Sequence, residues 1–154
     1  MANKESSIAY ENLNRRIFPG AGEYGIPRLE AETFDGNCEF VGFNYARGNC
    51  RNPEKKAVHF FIDDYQFDAL WRNVDRYVDK LRQFQYVLTP DFSTYTDFPK
   101  AIQIYNHYRK HWVGAYLQEY GCRVIPTISW STPESYAWCF DGEPKGGTLA
   151  VSSV

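Results

Sequence analysis

The stretch Ala57-Val58-His59-Phe60-Phe61-Ile62, followed at once by Asp63-Asp64-Tyr65, decides how this chain is read. A short run rich in β-branched and aromatic residues, apolar at nearly every position, is the pattern of a strand buried on both faces, as in a parallel sheet. Beyond it Phe67, Leu70, Trp71, Val74, Val78 and Leu81 recur at intervals of three and four. That spacing predicts one amphipathic helix over residues 65–82, with Asp64 as its N-cap. The unit is a strand, then a cluster of carboxylates, then a helix.

Working outward, the unit repeats. Residues 84–88 read as the next strand, stopped by Thr89-Pro90-Asp91 because proline neither continues a helix nor donates to a ladder. A second long helix is expected to start with Pro99 in its first turn and to run to Tyr120, with Gly121 as its stop. Its inner stripe is expected to be Ala101, Tyr105, Tyr108, Trp112 and Tyr116. A strand over residues 124–129 must accommodate Pro126 through a bulge or an edge position. Thr132-Pro133-Glu134 opens a short helix, with Ser131 and Glu134 at capping-box spacing. After the turn-rich residues 141–147 a last strand covers 148–152. Upstream, a strand over 38–43 precedes the loop 44–56. Residues 1–37 read as an irregular leader with a short helix over 7–17 that Pro19-Gly20 ends.

Strands separated by helices are the arrangement of parallel βα units rather than of hairpins. The fold class expected is α/β, with a mostly parallel five-stranded sheet and flanking helices over residues 38–154. The sheet is either open or part of a partial barrel of triosephosphate-isomerase type. In both cases strand C-termini share one edge, and ligands bind at that edge.

Composition narrows the function. The 154 residues carry a formal net charge of −2, so no global basic field exists to grip nucleic acid or membrane. Any such contact is local, and the one clearly basic stretch is the loop 45–56 with Arg47, Arg51, Lys55 and Lys56. The N-terminus is polar and no run approaches the ~18 apolar residues of a membrane span, so no membrane partner and a cytoplasmic location are expected. Cys38, Cys50, Cys122 and Cys139 show no Cys-x-x-Cys spacing and read as free thiols.

The clusters at the strand ends are the candidate site. Asp63, Asp64 and Asp91 end neighbouring strands, and carboxylates held close together raise one another's pKa, which suits acid/base work or cation binding. The plainer reading is that Asp64 caps its helix and Asp91 bonds the turn amides after Pro90. No cofactor and no metal are predicted from the motifs, although magnesium would be the natural ion for such oxygen ligands. Ser93, Ser129, Trp130, Glu134, Trp138, Asp141 and Ser152 are expected to contribute to ligand binding. Trp130 and Trp138, with Tyr136 and Phe140 nearby, supply faces for a sugar ring or nucleobase, or else a plug over the sheet edge. Ser129, Ser152 and Ser153 lack the Gly-x-Ser-x-Gly elbow of a serine hydrolase, and Gly142 to Gly147 precedes a strand, the wrong context for a phosphate loop.

Two further features have ordinary explanations. His107 and His111 stand four apart on the second long helix, a metal-binding spacing, but no third ligand is evident nearby. With Gln103, Asn106, Arg109 and Lys110 they are expected to form a solvated face. His59, inside an apolar strand, is expected to be a core histidine bonded to backbone.

HFFIDDYQFDALW (59–71), LTPDFSTYTDFPKAIQIYNHYRKHWVGAYLQEYG (88–121) and VIPTISWSTPESYAWCFDGEPKGGTLAVSS (124–153) together resemble a family catalogued as domain of unknown function 4417, with the PDFS and IPTISW blocks its most specific parts. The resemblance implies a phage or mobile-element source. It also implies polypeptides that continue past a segment similar to LAVSS, leaving open whether the domain here is truncated at its C-terminus. It carries over no catalytic residues. The function expected is therefore binding of a small polar ligand, a nucleotide or sugar, at the strand C-terminal ends, with hydrolysis as the natural reaction class. The alternative is a non-enzymatic protein that binds a host protein or nucleic acid through the loop 45–56.

Overall fold

The computed structural model of the protein describes residues 3–152, so Ser153 of the last expected cluster lies outside the described residues. A leader carries helix α1 (Lys4–Tyr10) and a small antiparallel pair, β1 (Gly20–Ala21) with β2 (Ile26–Pro27). The helix lies nearer the N-terminus than the pattern suggested, because Asn3 caps it by accepting the Glu5 amide and the chain then turns at Asn12 with positive φ.

The central sheet has the order β3 (Glu39–Gly42), β4 (Lys56–His59), β5 (Tyr86–Leu88), β6 (Val124–Ile125), and every pairing is parallel. Val41, Val58, Val87 and Val124 lie in one cross-strand row, and Phe40, Ala57 and Tyr86 in the adjacent row on the other face. Strand order follows chain order. With right-handed crossovers, all connections of such a sheet fall on one face. The opposite face is covered by the leader: Phe34 packs against Tyr86 and Phe40, and the Tyr86 hydroxyl donates to the Thr33 carbonyl. Among the described residues the sheet is open and closes into no barrel.

Five strands were expected in this sheet and four are found, because Pro126 divides the fourth βα strand. Its carbonyl accepts the Ala150 amide on the side away from β5, and the ladder with β5 ends at Ile125. The next residues form β7 (Thr127–Ile128), which pairs in parallel with β8 (Ala150–Val151). Continuity is kept by a side chain: Thr89 Oγ1 accepts the Thr127 amide at 2.7 Å, in the place of a ladder bond.

The helix expected over 65–82 is also broken. A 3₁₀ turn (Asp64–Gln66) leads into α3 (Asp68–Arg72), and after Asn73 the chain restarts as α4 (Asp75–Leu81). At the break the Trp71 carbonyl accepts from Nδ2 of the fully buried Asn12, at 2.8 Å. A leader side chain thus terminates α3, while Phe67, Leu70, Trp71, Val74, Val78 and Leu81 still reach the core. Between β3 and β4 lie a short α2 (Phe43–Ala46) and a 3₁₀ turn (Pro53–Lys55).

The long helix α5 (Lys100–Glu119) has the expected extent, with Pro99 at its N-cap and Gly121 at φ +88° after it. Its orientation differs from expectation. Trp112 and Tyr116 are buried, but Ala101 is exposed, Tyr105 and Tyr108 are half-buried, and the polar side is inside: Gln103, Asn106, His107, Lys110 and His111 are all buried. The short helix at 133 is a 3₁₀ turn (Pro133–Ala137), and Ser135, rather than Ser131 and Glu134, makes its end contacts: its Oγ accepts the Ser131 amide and donates to the Thr132 carbonyl. All four cysteines are free. Among the described residues no helix is long and apolar enough to cross a membrane.

Candidate functional site

Parallel strands deliver their C-terminal ends to one edge, and an open cleft of about 1050 Å³ lies there. After β4 come Asp63 and Asp64, after β5 come Asp91 and Ser93, after β7 come Ser129 and Trp130, and after β8 comes Ser152; all of these line it. The sheet direction read from the sequence therefore brings the strand-end clusters together. Glu134, Trp138 and Asp141 are not in the lining. Trp138 is buried and turned edge-on to His107, so its face is closed to solvent. The aromatic rim is made instead by Trp130 with Phe61, Tyr65, Tyr95 and Phe98.

The three aspartates have different environments. Asp63 is exposed, and its side chain makes no cap hydrogen bond to the 3₁₀ turn that follows. Asp64 does not cap a helix. Its Oδ2 accepts the Ser93 amide at 3.0 Å and its Oδ1 the Ser93 hydroxyl at 2.7 Å, which clamps the β5–α5 loop to the end of β4. The Ser93 carbonyl accepts from Asn106, whose own oxygen accepts from Arg109. The Arg109 guanidinium lies over Phe92 at 4.1 Å and Tyr105 at 4.8 Å from their centroids, a partly buried cation among aromatic faces.

Asp91 sits at the floor. Its Oδ1 is buried without a hydrogen-bond partner, so it does not serve the turn after Pro90, where the backbone of Phe92 closes on the Pro90 carbonyl. Burial pushes its carboxyl above the usual carboxylate range; the Lys110 ammonium and a hydrogen bond from Ser129 pull the other way, and Asp64 adds to the rise. Lys110 is wholly buried on α5, with Nζ donating to Ser129 Oγ at 3.0 Å. Burial lowers its pKa, opposed by the carboxylates of Glu143 and Asp91. Ser129 thus links a hidden lysine to a hidden carboxylate at the cleft wall. Lys110 carried no sequence signal, since a lysine among Arg109, His107 and His111 has the look of a solvated face.

The remaining candidates are distributed as follows. His59 is half-buried, its Nδ1 accepts the Phe61 amide at 3.2 Å, and burial lowers its pKa. In the basic loop Arg47, Arg51 and Lys55 are exposed, while Lys56 is half-buried with Nζ on Cys50 Sγ. None of the four lines the cleft.

An open parallel sheet whose strands follow chain order, with helices in its connections, makes this an α/β protein. Residues 18–154 match the family described as Domain of unknown function (DUF4417), and the chain belongs to that family. It is similar to the Gene 1 protein of Mycobacterium phage L5, 50% identical over 147 residues covering 94% of this chain and 64% of that one. It is also similar to the Gene 1 protein of Mycobacterium phage D29, 40% identical over 152 residues, 94% of this chain and 54% of that one. The chain therefore spans between about half and two thirds of the length of the curated relatives it matches. No solved structure matches it.

Proposed function

We propose that the strand-end cleft binds a small polar ligand of the sugar or nucleoside kind. The observation that carries this reading is Asp91, which lines a concavity rimmed by exposed aromatics and has one buried carboxylate oxygen without a hydrogen-bond partner. A buried polar atom left unpaired is costly, and a ligand hydroxyl or amino group would satisfy it. The cleft volume lies at the upper end of small-molecule sites. Its lining holds Asp63, Asp64 and Asp91 and no Lys or Arg, which disfavours bare phosphates. A nucleotide would bring a divalent cation, magnesium being suited to the oxygens of Asp63 and Asp91. Hydrolysis is the reaction class these groups serve, with Asp91, its proton affinity raised, as general acid or base.

The test is a thermal-shift screen of the purified chain against sugars, nucleosides and nucleotides, with and without magnesium, because a ligand specific to the folded state raises the melting temperature. A hit whose affinity falls at least tenfold in Asp91→Asn, and by the ~1–3 kcal/mol of a lost stacking contact in Trp130→Ala, is the expected result. A screen without hits, or a hit indifferent to both substitutions, would overturn the reading.

A second reading rests on the exposed cations Arg47, Arg51 and Lys55. It places a nucleic-acid or host-protein contact on the loop 45–56. If the partner is nucleic acid, binding should weaken steeply between low and physiological salt and be lost when the three are changed to Gln; salt-independent binding would exclude phosphate contacts.

A further inference from the structure

We propose that His107, His111 and Glu143 form a binding site for one divalent transition ion of the zinc type, buried beside α5 and separate from the cleft. Candidate ligand atoms of the three residues lie within 4.8 Å of one another, and none of the three residues lines the cleft. Metal–ligand bonds of roughly 2.0–2.2 Å place tetrahedral ligand atoms about 3.4 Å apart, so closing on an ion needs only small side-chain movements.

The protonation pattern is fixed by backbone. His107 Nε2 lies 3.0 Å from the Asp141 carbonyl and His111 Nδ1 lies 2.8 Å from the Pro27 carbonyl. A carbonyl only accepts, so both of those nitrogens carry hydrogens. The lone pairs are then left on His107 Nδ1 and His111 Nε2, and the ring centroids lie 4.4 Å apart with their planes tilted by 56°. A ring nitrogen held by a backbone carbonyl is the usual outer support of a metal-bound histidine. His107 Nδ1 is buried and has no hydrogen-bond partner, although the residue is only 1% exposed.

The third ligand closes the set. His111 Nε2 faces Glu143 Oε1 at 2.6 Å, two acceptors brought together by either a proton or a cation, and Glu143 Oε2 is a second buried oxygen without a partner. A proton between His111 and Glu143 satisfies that pair alone. It leaves both His107 Nδ1 and Glu143 Oε2 unpaired, whereas one ion takes up all three residues. Two imidazoles and a carboxylate are zinc ligands. The nearby positive charge is Lys110, whose Nζ is drawn to Ser129 and faces the compensating carboxylate of Glu143.

The position of the site explains its use. It joins β2, α5 and the turn at Gly142, segments far apart in sequence, as a staple would. Gly142 has φ +77°, and a Cβ there would come within 2.4 Å of the Pro27 carbonyl and 2.8 Å of His111 Nδ1.

The full chain, stripped with a chelator, should be titrated with Zn²⁺ and with Co²⁺. Expected are one ion per chain by elemental analysis after desalting, visible d–d absorption from the cobalt form, and a melting temperature raised by zinc. His107→Gln should weaken binding at least about a hundredfold, beyond what loss of an outer-shell partner does. His107 is the residue a simple His111–Glu143 ion pair would not need. His59→Gln, which removes the third histidine of the chain, should leave binding intact. A wild-type chain that retains no zinc and gives no d–d bands, or a folded His107→Gln that still binds it, would overturn the proposal. Should His107→Gln not fold, the wild-type cobalt spectrum and melting shift decide.

Discussion

At the scale of the residue, the charge on Asp91 is set by a contest between burial and Lys110. Because its pKa is raised in the folded chain, the native state holds a proton that the unfolded state has released. Asp91 therefore works against stability as pH rises from the ordinary carboxylate range through its folded value. Lys110→Met removes the cation that opposes this rise. The Asp91 carboxyl should titrate still higher in that variant, read from its carboxyl carbon in an NMR pH series; an unchanged or lower midpoint would show that Lys110 is not its counter-charge. His59 has the opposite sign. Its folded pKa lies below the ordinary histidine value, so the unfolded chain gains the proton first and stability is lost as pH falls through about 6.5. Denaturant melts at pH 7.5 and pH 5.5 should show His59→Gln losing less over that interval than the wild type.

At the scale of the element, the break between α3 and α4 depends on a partner far away in sequence. Asn12→Ala would leave the Trp71 carbonyl without its donor in a buried setting, and would place alanine at φ +62°. A loss of about 1–3 kcal/mol is expected from equilibrium unfolding, and a change within error would mean that Asn73 alone breaks the helix. Here lies the limit of what periodicity can show. The apolar stripe of 65–82 identified the buried residues, because burial needs only the right face, but it could not register a hydrogen bond from Asn12. Helix α5 shows a related failure. Its aromatic residues and its polar residues both repeat at helical spacing, and a chain with 18% aromatics favours the aromatic side as the inner one. The polar side is inside because the loops around it present oxygens: Gln103 donates to Phe98, Asn106 to Ser93, Lys110 to Ser129, and the two histidines to Asp141 and Pro27. Those partners are scattered through the sequence, so no local pattern betrays them, and Glu143 looked like part of a turn. Strand direction was legible because it depends on spacing and composition alone, and with it the gathering of Asp63, Asp64, Asp91, Ser129 and Trp130.

At the scale of the whole molecule, α5 packs against both the leader, at β2, and the sheet, at β6. At Gly114 the two approach the same side of the helix, where a Cβ would lie 2.7 Å from Thr89 Cγ2 and 2.9 Å from Leu29 Cδ2. Gly114→Val should destabilise the fold by about 1–3 kcal/mol through overpacking and detach the leader from the helix, seen as faster amide exchange around Leu29. An unaltered exchange pattern would mean that the leader is held elsewhere.

The match between strand order and chain order bears on how the protein is made. During synthesis β3, β4, β5 and β6 leave the ribosome in the sequence in which they lie side by side, so each can add to a neighbour already in place. Closure is different: Pro27 must wait for Gly142 and Glu143 to emerge before His111 has both of its partners. Until then His107 lacks Asp141 and His111 lacks Glu143, so the polar side of α5 stays unfinished after the four strands are in place.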